Sequence, residues 1–254
     1  MKTVNEVFSY LCDGAPLSLQ MDFDNSGLLV GHKEQPVDTV LLALDITNTV
    51  IDEALEAGAQ LLVSHHPVIF HSLKAVTDKG EGALVLRLVE NRLAAICMHT
   101  NLDITPGGVN DVLVQLLAGR EGEPFDADGC GRIATMASSC PLEQFLDHCK
   151  TVLRANGLRY YDAGHAVRKL AVMGGAGGDY LEDAARMECD TYVTSDLKYH
   201  QFLRAAELGI NLIDADHFCT ENPVMSALQK RLSQAFPDVR FLLSQKHKQT
   251  VSFY

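Results

Sequence analysis

Short, almost wholly apolar runs alternate with amphipathic segments along the first part of the chain. The runs occupy residues 40–44, 61–63 and 94–98, and the amphipathic segments occupy residues 3–12, 49–58 and 81–92. Runs of this kind are typical of strands covered on both faces, whereas the amphipathic segments have helical spacing. Gly58 is placed to end the second helix. The alternation predicts an α/β protein with mostly parallel mixed sheets.

The same alternation begins again beyond residues 119–131, a stretch of acids and glycines that we interpret as a linker. Strands are predicted at residues 168–173, 191–194 and 210–213, and helices at residues 179–188, 201–208 and 222–235. Because the order matches that of the first half, we expect two similar α/β lobes related by an internal pseudo-twofold duplication. The lobes would span residues 1–122 and 123–254, with the C-terminal helix free to pack back on the first. The alternative is an accidental likeness, since alternation of strands and helices is common.

Histidines and carboxylates follow several of the predicted strands directly, where α/β sheets build functional sites. His65 and His66 come after the second strand, just before Pro67. Alternate side chains of a strand point to opposite faces, but at a strand end the chain curls. Two neighbouring imidazoles can then reach two metals about 3.5 Å apart. The alternative is a pair of surface imidazoles, which is the commoner case for an isolated His-His pair.

Asp103 lies four residues after His99, beyond the third predicted strand. Its carboxylate could bridge two cations and lower their mutual repulsion. Alternatively, Asp103 begins a turn or caps the helix that starts near Val109, although other turn-forming residues lie nearer that start. His99 could be a ligand, a partner that orients a ligand, or a buried histidine, and we favour the partner.

His217 and Glu221 form an i, i+4 pair whose side chains would share one face of a helix. Taken alone, Glu221 is better explained as an acid in the first helical turn, where the helix dipole favours it. Together with His65, His66 and Asp103, the pair gives three imidazoles and two carboxylates, which suit two divalent cations. Nitrogen and oxygen donors without thiolate fit Zn, Mn, Fe or Co and do not choose among them.

Charge and composition narrow the classes of function. The formal net charge of −12 argues against nonspecific binding to nucleic acid, which needs a basic face. Lysines and arginines are scattered, apart from the short run Lys246-His247-Lys248. No apolar run approaches the roughly 18–20 residues that span a bilayer, and the N-terminal segment does not resemble a signal peptide. The seven cysteines contain no C-x-x-C pair, and Cys219 is interpreted as a bystander to the site. We expect free thiols, a cytoplasmic protein and no membrane partner.

With these residues identified, the chain resembles the GTP cyclohydrolase 1 type 2 family, also called the Nif-three-like family of dinuclear metal proteins. The likeness is to the compact bacterial form without an inserted domain. The motifs that carry it are Asp24-Asn25-Ser26-Gly27-Leu28, Ala43-Leu44-Asp45-Ile46-Thr47, Ser64-His65-His66-Pro67, His99-Thr100-Asn101-Leu102-Asp103, Lys198-Tyr199-His200 and His217-Phe218-Cys219-Thr220-Glu221. The resemblance implies that His65, His66, Asp103, His217 and Glu221 hold the metals. It also implies a toroidal homohexamer with sites facing an internal cavity.

Two positions depart from the family pattern. Asp216 stands before His217 where Gly is common, and Ser195-Asp196 stand where the family favours Gly-Glu. The added charge of Asp216 beside the metals could tune a bound water or narrow the pocket. These departures therefore bear on the substrate more than on metal binding.

The leading hypothesis is a metal-dependent hydrolase, in which a water activated by two divalent metals attacks a purine nucleotide or a related heterocycle. His99, Asp45, Lys198 and His200 are candidates for proton transfer or substrate positioning. The alternative for Lys198 and His200 is an exposed helix start. Alternative functions are a metal-handling or metal-delivery protein without turnover, a metal-dependent phosphoesterase, and a scaffold with structural metals.

Overall fold

Two units make up the structure, a computed structural model that describes residues 1–254. The first unit comprises Met1–Thr105 and Met225–Lys248, and the second comprises Pro106–Val224 and Gln249–Tyr254. This division differs from the lobes expected at residues 1–122 and 123–254. Residues 106–122 belong to the second unit, and residues 225–248 belong to the first.

Helices and strands alternate along the chain, as the apolar pattern predicted. The helices are α1 (Val4–Gly14), α2 (Asn48–Glu56), α3 (Ala83–Glu90), α4 (Thr100–Ile104), α5 (Val109–Ala118), α6 (Leu142–Leu153), α7 (Leu181–Arg186), α8 (Tyr199–Leu208), α9 (His217–Glu221) and α10 (Pro223–Ala235). The strands are β1 (Lys2–Thr3), β2 (Gly27–Val30), β3 (Pro36–Val37), β4 (Thr39–Ala43), β5 (Leu61–Ser64), β6 (Ala94–Cys97), β7 (Glu123–Pro124), β8 (Arg132–Cys140), β9 (Arg159–Tyr161), β10 (Val167–Val172), β11 (Thr191–Thr194), β12 (Asn211–Asp214) and β13 (Arg240–Leu243). The predicted α/β class with mixed sheets is confirmed.

A five-stranded sheet in the order β13-β4-β5-β6-β2 forms the centre of the first unit. The first four strands of this order are parallel, and only β2 is antiparallel to its neighbour. Every residue of β4, β5 and β6 is buried, as their apolar runs predicted. The register pairs Ala43 with Ser64 and Ser64 with Cys97, so the three strands end at one edge. Side chains that follow these strands are therefore brought together.

The second unit contains a six-stranded sheet in the order β7-β8-β10-β11-β12-β9. Strands β10, β11 and β12 are parallel, whereas β7, β8 and β9 pair in antiparallel fashion. Helix α5 supplies Leu113 and Leu117 to the same apolar core as Phe145 of α6, which explains why residues 106–122 belong to this unit. Strand β7 lies inside the expected linker at residues 119–131, so part of that stretch extends the sheet.

Each unit follows the same local order of strand, helix, strand, helix, strand: β4-α2-β5-α3-β6 in the first and β10-α7-β11-α8-β12 in the second. This order agrees with the expected repeat, and the duplication itself stays a prediction. None of the helices combines the length and the apolar composition that crossing a bilayer requires.

Candidate metal centre

Two adjacent histidines follow β5 in the first unit. The backbone N–H groups of His65 and His66 both donate to the carbonyl oxygen of Leu44, at 3.2 and 2.9 Å, and the Ser64 hydroxyl donates to the carbonyl of His66 at 2.8 Å. These bonds fix the turn that the chain makes on leaving the strand. The His65 ring is fully buried, the His66 ring is 22% exposed, and their centroids lie 5.1 Å apart. The chain curls here so that neighbouring imidazoles lie on the same side.

A third imidazole, that of His99, lies against the first two. It follows β6, and its ring centroid is 5.2 Å from that of His65 and 5.6 Å from that of His66. One ring nitrogen from each of the three residues falls within 4.8 Å of the other two. Three nitrogen donors at this spacing could hold a metal ion, which places His99 beside the predicted ligands; its role as an orienting partner stays a prediction.

The Nδ1 atom of each ring in this cluster has an oxygen acceptor. The pairs are His65 with the carbonyl of Met98 at 2.8 Å, His66 with Asp45 Oδ1 at 2.6 Å, and His99 with Asp24 Oδ1 at 2.7 Å. Because carbonyl and carboxylate oxygens only accept, these contacts place the proton on Nδ1 of the neutral ring. The lone pair then resides on Nε2. This is the arrangement by which proteins orient histidine ligands toward a metal.

Asp24 and Asp45 are ionised acceptors. Burial favours the neutral form of Asp24, but hydrogen bonds from His99 and Thr100 outweigh it and hold the pKa of this carboxyl well below its usual range. Burial likewise opposes ionisation of Asp45, and hydrogen bonds from His247 and His66 hold its pKa low. Both carboxylates therefore keep accepting from imidazole at neutral pH. Sequence reasoning missed this role of Asp24, whose only signal was its place in a family motif before β2.

Asp103 approaches the cluster from α4, one helical turn after His99. Its Oδ1 atom lies 3.5 Å from His65 Nε2, and its side chain is 13% exposed. The residue that caps α5 is Gly108, so the alternative in which Asp103 caps that helix is wrong. The carboxylate faces the Nε2 side of His65, where a ligand of a shared cation would lie.

His217 and Glu221 form a pair within the second unit. They are the first and last residues of α9, a short helix separate from α10, and His217 Nε2 lies 3.0 Å from Glu221 Oε2. The His217 Nδ1 atom donates to Asp196 Oδ2 at 2.8 Å. The pattern of the first unit is repeated here, with Nδ1 bound to an oxygen acceptor and Nε2 beside a carboxylate.

Asp216 serves α9 as its N-cap. Its Oδ1 atom accepts from the backbone N–H of Cys219 at 3.2 Å, and its φ is +69°. A positive φ strains most side chains, and Asp216 offsets this strain by capping the helix. Burial, with the charge of Asp216, raises the pKa of the Cys219 thiol to about 12. Cys219 is therefore a protonated thiol at neutral pH in the metal-free protein, and its interpretation as a bystander stays a prediction.

Gly175, in the loop after β10, allows the backbone to approach Glu221 closely. Its φ is +66°, and a Cβ added there would lie 2.1 Å from Glu221 Oε1 and 3.3 Å from His217 Nε2. The loop is fixed by the Ser195 hydroxyl, which donates to the Gly175 carbonyl at 2.6 Å, and by the Gly175 N–H, which donates to the Thr220 hydroxyl at 3.1 Å. A side chain at this position would require the Glu221 carboxylate to move.

Lys198 and His200 lie at the start of α8, and both are exposed. The backbone N–H of Lys198 donates to Oε1 of Gln201, a residue in the first turn of the helix, at 2.8 Å. The exposed-helix alternative describes the environment of both residues. Their predicted part in catalysis stays a prediction.

Comparisons with known proteins extend over nearly the whole chain. The sequence model of the family described as Duf34/NIF3 (NGG1p interacting factor 3) matches residues 2–250. A Clostridium perfringens protein named GTP cyclohydrolase 1 type 2 homolog is 33% identical over 259 residues, covering 98% of this chain and 99% of that protein. The crystal structure of a Bacillus cereus protein related to NIF3 matches with a TM-score of 0.90 and 25% identity, covering 100% of this chain and 99% of that one. Staphylococcus aureus protein SA1388 matches with a TM-score of 0.91 and 25% identity, with the same coverage.

Replacing Gly175 by Ala is expected to destabilise the protein more than replacing Gly209 by Ala. Both glycines have a φ of +66°, so both variants carry a backbone penalty of about 1–2 kcal/mol. At Gly209 nothing lies within 4 Å of the added Cβ, whereas at Gly175 the Glu221 carboxylate must move. Urea unfolding followed by circular dichroism measures the difference. Equal losses would mean that the Glu221 carboxylate is not confined by this loop.

Proposed function

We propose that this chain is a hydrolase dependent on two divalent metals. The premise is that the chain belongs to the Duf34/NIF3 family, as its motifs predicted. The proposed ligands are His65, His66, Asp103, His217 and Glu221. The observation that carries the proposal is the common state of the three histidines. Each has its Nδ1 bound to an oxygen acceptor, so Nε2 is the ring nitrogen that would bind a metal.

The donor set fits divalent cations of intermediate hardness. It contains imidazole nitrogens and carboxylate oxygens. In each unit an imidazole lies beside a carboxylate: His65 beside Asp103, and His217 beside Glu221. None of the three groups of donors that lie close enough together to hold a metal ion contains a cysteine. Zn, Mn, Fe and Co all suit such a set.

The proposed chemistry divides between the metals and the chain. Bound divalent cations would supply Lewis acidity and a water acidified towards neutral pH. The chain's own contribution is orientation and proton transfer. Asp45 fixes the His66 ring, and Asp24 fixes the His99 ring. We assign proton acceptance to His99 Nε2, because its Nδ1–H is bound to an ionised carboxylate, as in general bases of the His–Asp type.

The substrate class and assembly are part of the proposal. The Clostridium perfringens relative is named for a GTP cyclohydrolase, and we propose a purine nucleotide or a related heterocycle as the substrate of this chain. A toroidal homohexamer in the cytoplasm is the assembly implied by the family motifs. Lys198 and His200, being exposed, would then act on the substrate only as positioning groups at the edge of the site.

The purified protein is expected to contain about two divalent cations per chain. His66→Ala removes a proposed ligand, so this variant should retain markedly less metal after dialysis. His32→Ala is the matched control, because His32 is an exposed histidine of the same unit. Inductively coupled plasma mass spectrometry gives both the identity and the stoichiometry of the metal. Equal metal content in the two variants would contradict the assignment of His66.

Incubation of the metal-loaded protein with GTP and a panel of nucleotides is expected to release a product that mass spectrometry detects. Asp103→Ala should abolish the release, because the proposed carboxylate ligand beside His65 is lost, whereas His32→Ala should retain it. Formate indicates ring opening, and inorganic phosphate indicates a phosphoesterase. If no nucleotide of the panel gives a product and the metal exchanges reversibly, the result would contradict the proposed hydrolase activity and favour a metal-handling protein.

A further inference from the structure

The carboxylate of Asp45 has a second imidazole on its other oxygen. His66 Nδ1 lies 2.6 Å from Asp45 Oδ1, and His247 Nε2 lies 3.1 Å from Asp45 Oδ2. Because a carboxylate only accepts, both rings donate to it. His247 comes from the short basic run near the end of the chain, yet its side chain is only 11% exposed. The run is therefore not simply a solvated basic tail.

The segment that carries His247 is held on the first unit by Glu53 of α2. Glu53 accepts from the Ser244 hydroxyl and from the backbone N–H groups of Gln245 and Lys246, the last two at 2.7 and 3.2 Å. The Ser244 hydroxyl in turn accepts from the backbone N–H of His247 at 3.0 Å. Burial raises the pKa of Glu53, but these hydrogen bonds outweigh it and lower the value. These hydrogen bonds of Glu53 and Ser244 fix the backbone from which the His247 ring reaches Asp45.

We propose that His247 is a positioning residue, which orients the proposed metal ligand His66 by fixing the carboxylate of Asp45 between two imidazole donors. A carboxylate bound through one oxygen can still rotate about its χ2 torsion, which is broad for Asp. Donors on both oxygens fix the plane of the group and thereby the direction of the His66 ring. The His66 Nε2 lone pair then keeps one direction. The proposal rests on the proposed metal centre, because its consequence is tighter binding at His66.

Substitutions at position 247 separate hydrogen bonding from packing. His247→Phe keeps a ring of similar size and removes the donor, whereas His247→Gln keeps an N–H donor near the place of Nε2. We expect His247→Phe to weaken Zn²⁺ binding about tenfold, the lower end of the range for residues that orient metal ligands. His247→Gln should stay within about threefold of the unchanged protein. Lys246→Ala is the matched control. Lys246 lies in the same segment as His247, and the substitution removes only its ion pair with Glu56 of α2.

The readout is the apparent Kd for Zn²⁺, measured by competition with a chromophoric chelator. The thermal midpoint of each metal-free variant shows whether folding is retained. A double-mutant cycle with Asp45→Asn tests the route, because His247→Phe should add no further loss when Asp45 is already replaced. Additive losses would overturn the proposal. Equal Kd values for the unchanged protein and His247→Phe would also overturn it and leave the metal centre intact.

Two other outcomes are decisive. If the unchanged protein does not bind Zn²⁺, the proposed metal centre fails, and the role of His247 fails with it. If Lys246→Ala and His247→Gln lose as much affinity as His247→Phe, the segment acts by packing alone, and the specific role of the imidazole is overturned. Loss confined to His247→Phe, with an unchanged thermal midpoint and no additivity with Asp45→Asn, supports the proposal.

Discussion

The parallel register of β4, β5 and β6 is the constraint on which the histidine cluster of the first unit depends. Because these strands end at one edge of the sheet, the residues that follow them are neighbours in space although they are far apart in sequence. Asp45 follows β4, His65 and His66 follow β5, and His99 follows β6. A shift in register would separate the imidazoles and their acceptors, so the buried apolar strands and the polar cluster are specified together.

Hydrogen bonding to Nδ1 gives this cluster its chemical definition. The carboxylates that hold His66 and His99 are partly removed from water, which costs free energy, and the donors around them offset that cost. The same device holds His217 in the second unit through Asp196. A repeated arrangement of this kind is expected where imidazoles must act as neutral donors, because the acceptor selects which ring nitrogen keeps its proton.

Much of the fold could be predicted from the sequence, because buried parallel strands leave continuous apolar runs. Strand β8 and helix α6 were not anticipated, since β8 has mixed polarity and is mostly exposed beyond its first residues. The histidines were identified from their place after strands. The groups that hold these rings were harder to predict. Asp24 accepts from His99, and His247 donates to Asp45, but each lies far from its partner in sequence, and only the folded chain brings them into contact. The cap at Asp216 depends on a positive φ that residue type does not reveal.

The protonation state of the ring nitrogens tests the central claim most directly, because it requires neither metal nor substrate. Long-range proton–nitrogen correlation spectra of the metal-free protein, labelled with ¹⁵N-histidine, distinguish the two neutral tautomers near neutral pH. The account predicts that His65, His66 and His99 carry the proton on Nδ1, with Nε2 unprotonated. Protonation on Nε2 in His65 and His66 would contradict it, since the acceptors at Nδ1 would then not select Nε2 as the donor to a metal.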